Sequence, residues 1–325
     1  VVYVMASQGW DDHSRAKRRT GVDYAVNYLE SLEENAIIFT NGDNDTFPLW
    51  YAQEVEEIRT DVRIVNMSLL NTDWYIDQMK RKAYKSEPVP FSMVEQQYRQ
   101  GTRDIVVLDR GTEKRPAVPM DVSAAMEIAK DDSKTKDYGA GKKYNYFPTY
   151  LFTLPVDSAT KEMFRPFLNP GDSLVNQLEW SIMQEGANPP RPRQFITKNQ
   201  VMVMDLLANF GWDRPIYFAT TTGSDIYMGL EPYFQLEGMA YRLTPIYHPR
   251  NPNPNVVGGI APEVMYDNVM NRFKWGNVDQ ETLYMDENNR RMTTNLRLHF
   301  GNLAEEFIRQ GKKDRALDIL NKAFE

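Results

Sequence analysis

The sequence predicts an α/β protein: a Rossmann-like parallel sheet with a long insertion, followed by a C-terminal helical hairpin. Two strand-then-helix patterns lie close together near the start of the chain, and this alternation is typical of right-handed βαβ units. A third strand pattern, preceded by an apolar helix, returns after residue 195. Two apolar helical stripes separated by Gly311-Lys312-Lys313 lie near the C-terminal end.

The domain boundaries are placed where the alternation of strands and helices stops. We predict an α/β domain over residues 1–255 and a helical tail over residues 256–325. The sheet core comprises residues 1–85 and 195–250. Residues 86–194 form an insertion, because prolines interrupt every long pattern there.

The organising pattern is a strand, a polar turn and a helix. Residues 36–40 are apolar and β-forming, and they end in Asn41-Gly42-Asp43-Asn44-Asp45. Gly42 supplies a permissive backbone. Asp45 or Thr46 can cap the helix that follows, and Pro48 suits its first turn, where no N–H donor is needed. Two carboxylates therefore follow a predicted parallel strand, at the edge where open α/β sheets bind ligands.

The other elements follow from the spacing of apolar residues. Short apolar runs predict strands, and apolar residues three and four apart predict helices. Strands are predicted over residues 1–4, 61–70, 104–108, 150–154, 214–220 and 240–246. Helices are predicted over residues 22–32, 75–84, 174–185 and 198–211, and from the turn at 221–225 to residue 237. Residues 248–255 have the proline-rich composition of a linker.

The tail carries two helical stripes. Leu296, Phe300, Leu303 and Phe307 form the first, and residues 316–323 form the second. The turn and the second helix have the form of a tetratricopeptide unit, although one such unit cannot bury its own apolar face. We therefore expect the pair to pack on the α/β body or to continue into further repeats.

Composition excludes several classes of protein. The 325 residues include 38 basic and 45 acidic side chains, which give a formal charge of −7, so nucleic acid is not expected as a partner. Without cysteine, disulfides and thiolate metal sites are excluded. No stretch is apolar for long enough to cross a bilayer. Because the chain begins at Val1 and stops inside a helical pattern at Glu325, we expect it to be a fragment of a longer protein.

Asp43 and Asp45 are the candidate metal ligands. Carboxylates are hard oxygen ligands that suit magnesium or manganese, and an Asp-x-Asp pair after a strand is a common way to hold such an ion against a sugar-nucleotide diphosphate. The alternative is purely structural: Asp43 closes the turn while Asp45 caps the helix. The sequence alone leaves both interpretations open.

Other polar residues could share that edge. Asn41, Asn71, Asp73, Thr221, Ser224 and Asp225 follow predicted parallel strands, whose carboxyl ends meet at one side of a sheet. Capping of the next helix is the alternative role for each of them. Near the N-terminus, Trp10, Asp11 and His13 combine a flat aromatic ring with polar groups, an arrangement on which sugars stack.

Five segments carry a resemblance to a known family: residues 9–15, 40–50, 59–63, 66–77 and 212–219. The chain resembles the soluble C-terminal region of a bacterial multi-pass membrane protein family of unknown function. That family is related to protein O-mannosyltransferase-like glycosyltransferases of the membrane-embedded GT-C type. The resemblance implies an extracytoplasmic domain at the periplasmic face of the inner membrane in Bacteroidetes-like bacteria.

The same resemblance limits what can be inferred about catalysis. In such transferases the catalytic acid lies in a loop near the first membrane helices, which this sequence lacks, so no catalytic residue is transferred to it. The expected function is that of a non-catalytic accessory domain whose partners are the membrane portion of the same polypeptide and an acceptor protein or glycan. The alternative is a sugar-phosphate or nucleotide-sugar site that depends on a divalent ion at Asp43 and Asp45.

Overall fold

The computed structural model describes residues 1–13, 18–138, 141–249, 251, 253–278 and 285–324, without the side chains of residues 10–13. The protein is a mixed α/β structure with several sheets and a C-terminal pair of helices. Within the described ranges, no helix has both the length and the apolar character needed to cross a bilayer.

The described residues form α-helices and short strands. The α-helices are α1 (Val2–His13), α2 (Thr20–Glu30), α3 (Asp43–Glu54), α4 (Asp73–Met79), α5 (Glu95–Tyr98), α6 (Val122–Lys130), α7 (Ser158–Phe164), α8 (Lys198–Ala208), α9 (Ser224–Tyr227), α10 (Pro262–Asp267), α11 (Glu287–Arg309) and α12 (Lys313–Phe324). The strands are β1 (Ile37–Thr40), β2 (Arg63–Asn66), β3 (Ile105–Leu108), β4 (Gly111–Thr112), β5 (Arg115–Pro116), β6 (Met120–Asp121), β7 (Thr135–Asp137), β8 (Lys143–Phe147), β9 (Leu151–Pro155), β10 (Ser173–Leu174), β11 (Gln177–Ser181), β12 (Phe195–Thr197), β13 (Ile216–Ala219), β14 (Phe234–Leu236), β15 (Ala240–Leu243), β16 (Ile246–Tyr247) and β17 (Gly259–Ile260).

The largest sheet has the strand order β17-β14-β15-β13-β1-β2. Its β13, β1 and β2 strands are parallel neighbours, with Ile37 of β1 opposite Ile216 on one side and Arg63 on the other. Early and late stretches of the chain therefore share one layer, as the sequence predicts. The carboxyl ends of these three strands lie along the same edge.

The sheet is mixed rather than wholly parallel. β15 pairs antiparallel with β13, and β14 pairs antiparallel with β15. The predicted helix ending at residue 237 is wrong, because α9 is a single turn that stops at Met228 and Gly229, whose φ angles are 53° and 91°. Left-handed residues of this kind terminate a helix. The next strand, β14, still runs in the direction of β13, and the short β14–β15 hairpin then returns the chain between them in the opposite direction.

The insertion supplies strands to four smaller sheets of the described residues, with strand orders β12-β3-β8-β7, β11-β9-β6, β10-β16 and β4-β5. The strands predicted near residues 104–108 and 150–154 are β3 and β9. The helix predicted over residues 174–185 is wrong, because this segment contains β10 and β11. Leu178 and Trp180 of β11 are buried while Gln177 and Glu179 are exposed, and alternation with a period of two is the pattern of a strand.

The N-terminal segment is helical where the sequence predicts a strand and a loop. Helix α1 covers the apolar run at residues 2–4 and continues to His13. Val2 and Tyr3 are more than four-fifths exposed, so burial does not select a strand here. No described strand pairs with this segment, and helical bonds such as Met5 N to Val1 O satisfy its backbone locally.

Helices cover the central sheet, and α8 links it to the insertion. The expectation of an apolar α8 is confirmed, since Val201 to Leu207 are all buried. Asp205 of this helix is fully buried, and its carboxylate accepts hydrogen bonds from the backbone N–H groups of Ser92 at 2.7 Å and Met93 at 3.1 Å. These charge-assisted bonds attach the start of the insertion to the core.

The predicted C-terminal helix pair is confirmed as α11 and α12, and it packs on the α/β body. Phe300 and Phe307 of α11 are fully buried, against Trp275 and Tyr266 respectively. The segment predicted as a linker is also attached to the body, because the Nδ1 atom of the buried His248 lies 2.9 Å from Asp172 Oδ1.

A buried ionic network joins β13, β14 and β15. Glu237, immediately after β14, accepts hydrogen bonds from the Tyr217 hydroxyl at 2.6 Å and from Arg242 Nη1 at 3.3 Å. Arg242 Nη1 also lies 3.3 Å from Glu33 Oε1. The Glu237 side chain is 1% exposed and that of Glu33 is 49% exposed. The same guanidinium thus has one buried partner and one solvated partner.

Glu237→Gln is expected to lower the free energy of unfolding by about 3 kcal/mol, because it leaves a buried guanidinium without its buried counter-ion. The matched control Glu33→Gln removes the solvated partner and should cost about 1 kcal/mol or less. Urea unfolding of the three proteins measures both changes. Equal losses in the two variants would contradict the assignment of Glu237 as the stabilising partner.

Candidate functional site

The turn after β1 begins the site. Gly42 has φ 85°, which a residue with a side chain rarely adopts, and α3 starts directly after it at Asp43. The helix therefore begins earlier than predicted. No side chain caps the N-terminus of α3, and Pro48 lies inside the helix rather than at its start. Asp43 and Asp45 lie in the first turn of the helix. Both carboxylates are favourably placed for the positive end of the helix dipole.

A buried hydrogen-bond network, formed by Thr40, Thr46, Asn66 and the Gly42 carbonyl, fixes this turn. The hydroxyls of Thr40 and Thr46 lie 2.8 Å apart, and Thr46 Oγ1 donates to Gly42 O at 2.7 Å. Asn66, the last residue of β2, donates from Nδ2 to Thr46 Oγ1 at 2.8 Å and to Gly42 O at 3.3 Å. The network therefore ties the end of β1 to the end of β2.

The end of β13 meets the same turn. The Thr221 hydroxyl donates to Asp45 Oδ2. The Tyr28 hydroxyl of α2 lies 3.3 Å from Thr220 Oγ1 and 3.4 Å from Thr221 Oγ1. The carboxyl ends of β1 and β13 are thus joined through side chains, and Asp45 faces the space between them.

Helix α11 covers this strand edge and closes a cleft of about 440 Å³. The cleft is lined by the turn after β1, the turn after β13, Tyr24 of α2, Tyr241 of β15 and one face of α11. Amide side chains are the commonest polar groups in the lining: Asn41, Asn44, Asn255, Asn288 and Asn295. The charged groups are Asp43, Asp45 and Arg291, with His299 at the α11 side.

Asp45 is the buried charge of the cleft, with 4% of its surface exposed. Burial raises the pKa of this carboxyl, while the Thr221 hydrogen bond and the positive charge of Arg291 lower it. Burial, followed by the negative charge of Asp45, raises the pKa of Tyr24 well above its usual range. Tyr24 is therefore a neutral hydroxyl at physiological pH, hydrogen-bonded to Tyr28 and Asn295.

His299 lies in the wall of the cleft with 5% of its surface exposed. Among the described residues, its Nδ1 atom has no hydrogen-bond partner. Burial lowers the pKa of His299 from 6.5 to about 4, so the ring is neutral at pH 7. A buried polar atom without a partner costs free energy, so His299 is a destabilising element in the wall of the cleft.

The structure brings four of the predicted site residues together: Asn41, Asp43, Asp45 and Thr221 line the cleft. The other four strand-end residues have structural contacts outside it. Asn71 Oδ1 accepts from the Asn199 N–H, and Asp73 accepts from the N–H groups of Trp74 and Gln100. Ser224 donates to Glu185, and the Asp225 carbonyl accepts from Gln200. The side chains of Trp10, Asp11 and His13 lie outside the described residues.

A metal site at Asp43 and Asp45 stays a prediction. In the described part of the chain, no three His, Asp or Glu side chains are grouped closely enough to hold an ion. Arg291 acts electrostatically on Asp45 and supplies positive charge to the cleft without a metal. A divalent ion would therefore need further oxygen ligands from its substrate.

The family described as TMEM260-associated domain 2 matches residues 21–261. The chain belongs to this family. It is also 32% identical over 80 residues to the mouse (Mus musculus) protein named Protein O-mannosyl-transferase TMEM260, an alignment that spans 24% of this chain and 11% of the mouse protein. No solved structure matches the chain.

These matches relate the protein to glycosyltransferases and divide the cleft between two regions. The TMEM260-associated domain 2 match includes the turns after β1 and β13, and with them Asp45 and Thr221. Helix α11 lies beyond the matched residues. The cleft therefore combines the strand edge of the family domain with a helix that follows it.

Sequence reasoning missed the contribution of α11. Asn288, Arg291, Asn295 and His299 are three and four residues apart, so they follow one face of the helix. This polar stripe accompanies the apolar stripe that predicts the helix pair. It could have been noticed, but only the tertiary contact with α2 shows that it faces Asp45.

The stability of the protein is expected to fall as the pH is lowered, because unfolded histidine binds a proton near pH 6.5 and folded His299 binds one only near pH 4. The unfolded chain takes up more protons in this window, so the His299 contribution to the free energy of unfolding falls by about 2 kcal/mol between about pH 7 and about pH 5.

Urea unfolding of the natural protein and of His299→Gln at both pH values tests this expectation. The variant should lose less stability than the natural protein over the same interval, by about 2 kcal/mol. Parallel losses in the two proteins would show that His299 is protonated equally in the folded and unfolded states.

Proposed function

We propose that the chain is a non-catalytic, extracytoplasmic accessory domain of a membrane-bound glycosyltransferase, and that its cleft binds a sugar of the acceptor glycan or glycoprotein. The observation that carries this proposal is the lining: five amide side chains and two tyrosines surround one buried carboxylate. Amides offer donors and acceptors together, which matches the hydroxyls of a sugar. Tyrosine rings supply flat surfaces with a polar tip.

The polar groups of the cleft differ in what they would recognise. Asp45 can only accept hydrogen bonds when ionised, so it would receive them from sugar hydroxyls in addition to Thr221. Arg291 and the unpartnered His299 Nδ1 lie on the opposite side, on α11. A ring held between the strand edge and α11 would contact Asp45 on one side and Arg291 on the other. A cleft of about 440 Å³ has room for one or two sugar rings.

The accessory role is supported by the relation to a larger enzyme. The mouse protein with the printed name Protein O-mannosyl-transferase aligns over 11% of its own length. We propose that the catalytic acid of the parent glycosyltransferase lies elsewhere in the polypeptide, in its membrane portion. The chain would then present an acceptor at the periplasmic face of a bacterial inner membrane, in Bacteroidetes-like species.

The proposal also gives the fold a finer interpretation. We treat the parallel β13-β1-β2 core as Rossmann-like, because ligands of such sheets bind at the carboxyl edge that the cleft occupies. We treat α11 and α12 as a tetratricopeptide-like pair. In this interpretation the helical pair closes the binding edge as well as packing on the body.

Binding of methyl α-D-mannopyranoside and of an O-mannosylated threonine peptide, followed by NMR titration of the protein, tests the proposal. We expect saturable shifts in the turns after β1 and β13 and in α11. Asp45→Asn should weaken binding by about tenfold, because a hydrogen bond to a charged group is replaced by a neutral one. Asp225→Asn, the same change in α9 after β13 and outside the cleft, should leave binding unchanged.

The same titrations with and without MgCl2 or MnCl2 distinguish the alternative function. Binding that needs the ion, and that is lost in both Asp43→Asn and Asp45→Asn, would support a divalent-ion-dependent sugar-phosphate site and overturn the proposal. Absence of binding for both probes, or equal binding to Asp45→Asn, would also overturn it.

A further inference from the structure

A second cavity, of about 370 Å³, lies at the other end of α3. It is bounded by the last turns of α3, the edge strand β2, helix α4 and the segment that follows α4. Its lining shares no residue with that of the sugar cleft. β2 is the outermost strand of the central sheet, so this cavity opens beside an unpaired strand edge.

Arg63, the first residue of β2, lies in the wall of this cavity with 5% of its surface exposed. One of its terminal nitrogens donates to the carbonyl of Arg81. Within the described ranges its Nε atom has no hydrogen-bond partner, and no carboxylate forms an ion pair with its guanidinium. Arg63 is thus a buried positive charge that donates to a neutral carbonyl and, among the described residues, forms no ion pair.

The other buried arginines show that this arrangement is unusual for the protein. In the described chain the buried arginines are Arg63, Arg103 and Arg242. Arg103 is paired with Asp132, and Arg242 is paired with Glu237. A buried charge without a partner is unfavourable, and among the described residues Arg63 lacks the carboxylate partner that Arg103 and Arg242 have.

Desolvation makes the Arg63 site receptive to an anion. Burial lowers the pKa of Arg63, and no described acidic side chain offsets this effect through an ion pair. A bound carboxylate would replace the missing counter-charge, and the planar fork of a guanidinium matches the two oxygens of a carboxylate. The anion would therefore be drawn to the base of the cavity.

Aromatic rings form the outer part of the cavity. Trp50 and Trp74 line it, and Trp74 is 55% exposed beside the 59% exposed Tyr84. Large rings left open to solvent next to a buried cation favour a ligand that has both an apolar or flat skeleton and a negative group. Glu54, which accepts a hydrogen bond from the Tyr84 hydroxyl, adds negative charge to the same lining. That charge disfavours a doubly charged phosphate.

We propose that this cavity binds a singly charged carboxylate on a ring of about monosaccharide size, with the carboxylate on Arg63 and the ring against Trp50 and Trp74. Acidic sugars and small aromatic acids share this chemistry. The site is independent of the sugar cleft, because it uses different residues at the opposite end of α3. It gives the domain a second specificity, for negative charge.

Isothermal calorimetry with sodium D-glucuronate, benzoate, D-glucose and glucose 6-phosphate tests the proposal on the whole chain. We expect binding of glucuronate or benzoate, at least about tenfold weaker binding of glucose, which lacks the charge, and weaker binding of the phosphate. Preference between the two carboxylates shows whether the ring is a sugar or an aromatic. Binding of the phosphate alone, or of none of the four, overturns the proposal.

Two variants connect binding to the cavity. Arg63→Gln should weaken carboxylate binding by about tenfold or more, whereas the matched change Arg81→Gln, at an exposed side chain outside the lining, should leave it unchanged. Trp74→Ala alters a mostly exposed ring, so the fold is expected to persist, and should weaken binding about threefold or more. Undiminished affinity in Trp74→Ala, or equal losses in Arg63→Gln and Arg81→Gln, overturns the proposal.

Discussion

The site depends on the hydrogen bonds that join the ends of β1 and β2. Thr46 is the centre of this network, since its hydroxyl contacts Thr40, the Gly42 carbonyl and Asn66. The side chains of Thr40, Thr46 and Asn66 are all buried. If one of their hydrogen bonds were lost, water could not replace it, and a polar group would be left without a partner. The network holds the left-handed Gly42 turn in place. The position of this turn determines where α3 starts and the direction in which Asp45 faces.

Both candidate sites follow from this placement of α3. Its first turn supplies Asp43 and Asp45 to the cleft, and its last turns supply Trp50 and Glu54 to the second cavity. At a rise of about 1.5 Å per residue, the two groups lie roughly 12 Å apart along one rigid helix. The domain thus offers amides and hydroxyls at one end of α3 and a buried cation with aromatic rings at the other.

The core strands and helices can be predicted from local sequence patterns. The contacts that form the two sites cannot, because they join residues that are far apart in the sequence. The run before Asn41 and the apolar helix before Ile216 identify β1, α8 and β13, because burial on all sides leaves a clear signal. The meeting of Thr221 with Asp45 spans 176 residues, and spacing predicts only that both follow parallel strands. The sequence predicts a helix where β11 lies, because a strand of five residues has only two buried positions, Leu178 and Trp180, to show the alternation. The role of α11 and the lack of a counter-ion at Arg63 cannot be predicted from the sequence, because both depend on which segments pack against each other.

A double-mutant cycle of Thr46→Val and Asn66→Ala tests the central claim most directly. The free energies of unfolding in urea of the natural protein, the two single variants and the double variant give the coupling between the side chains. If the network fixes the turn as a unit, the coupling should be about 1 kcal/mol or more. Losses that add to within about 0.3 kcal/mol would show that the two side chains act independently, and would contradict this account.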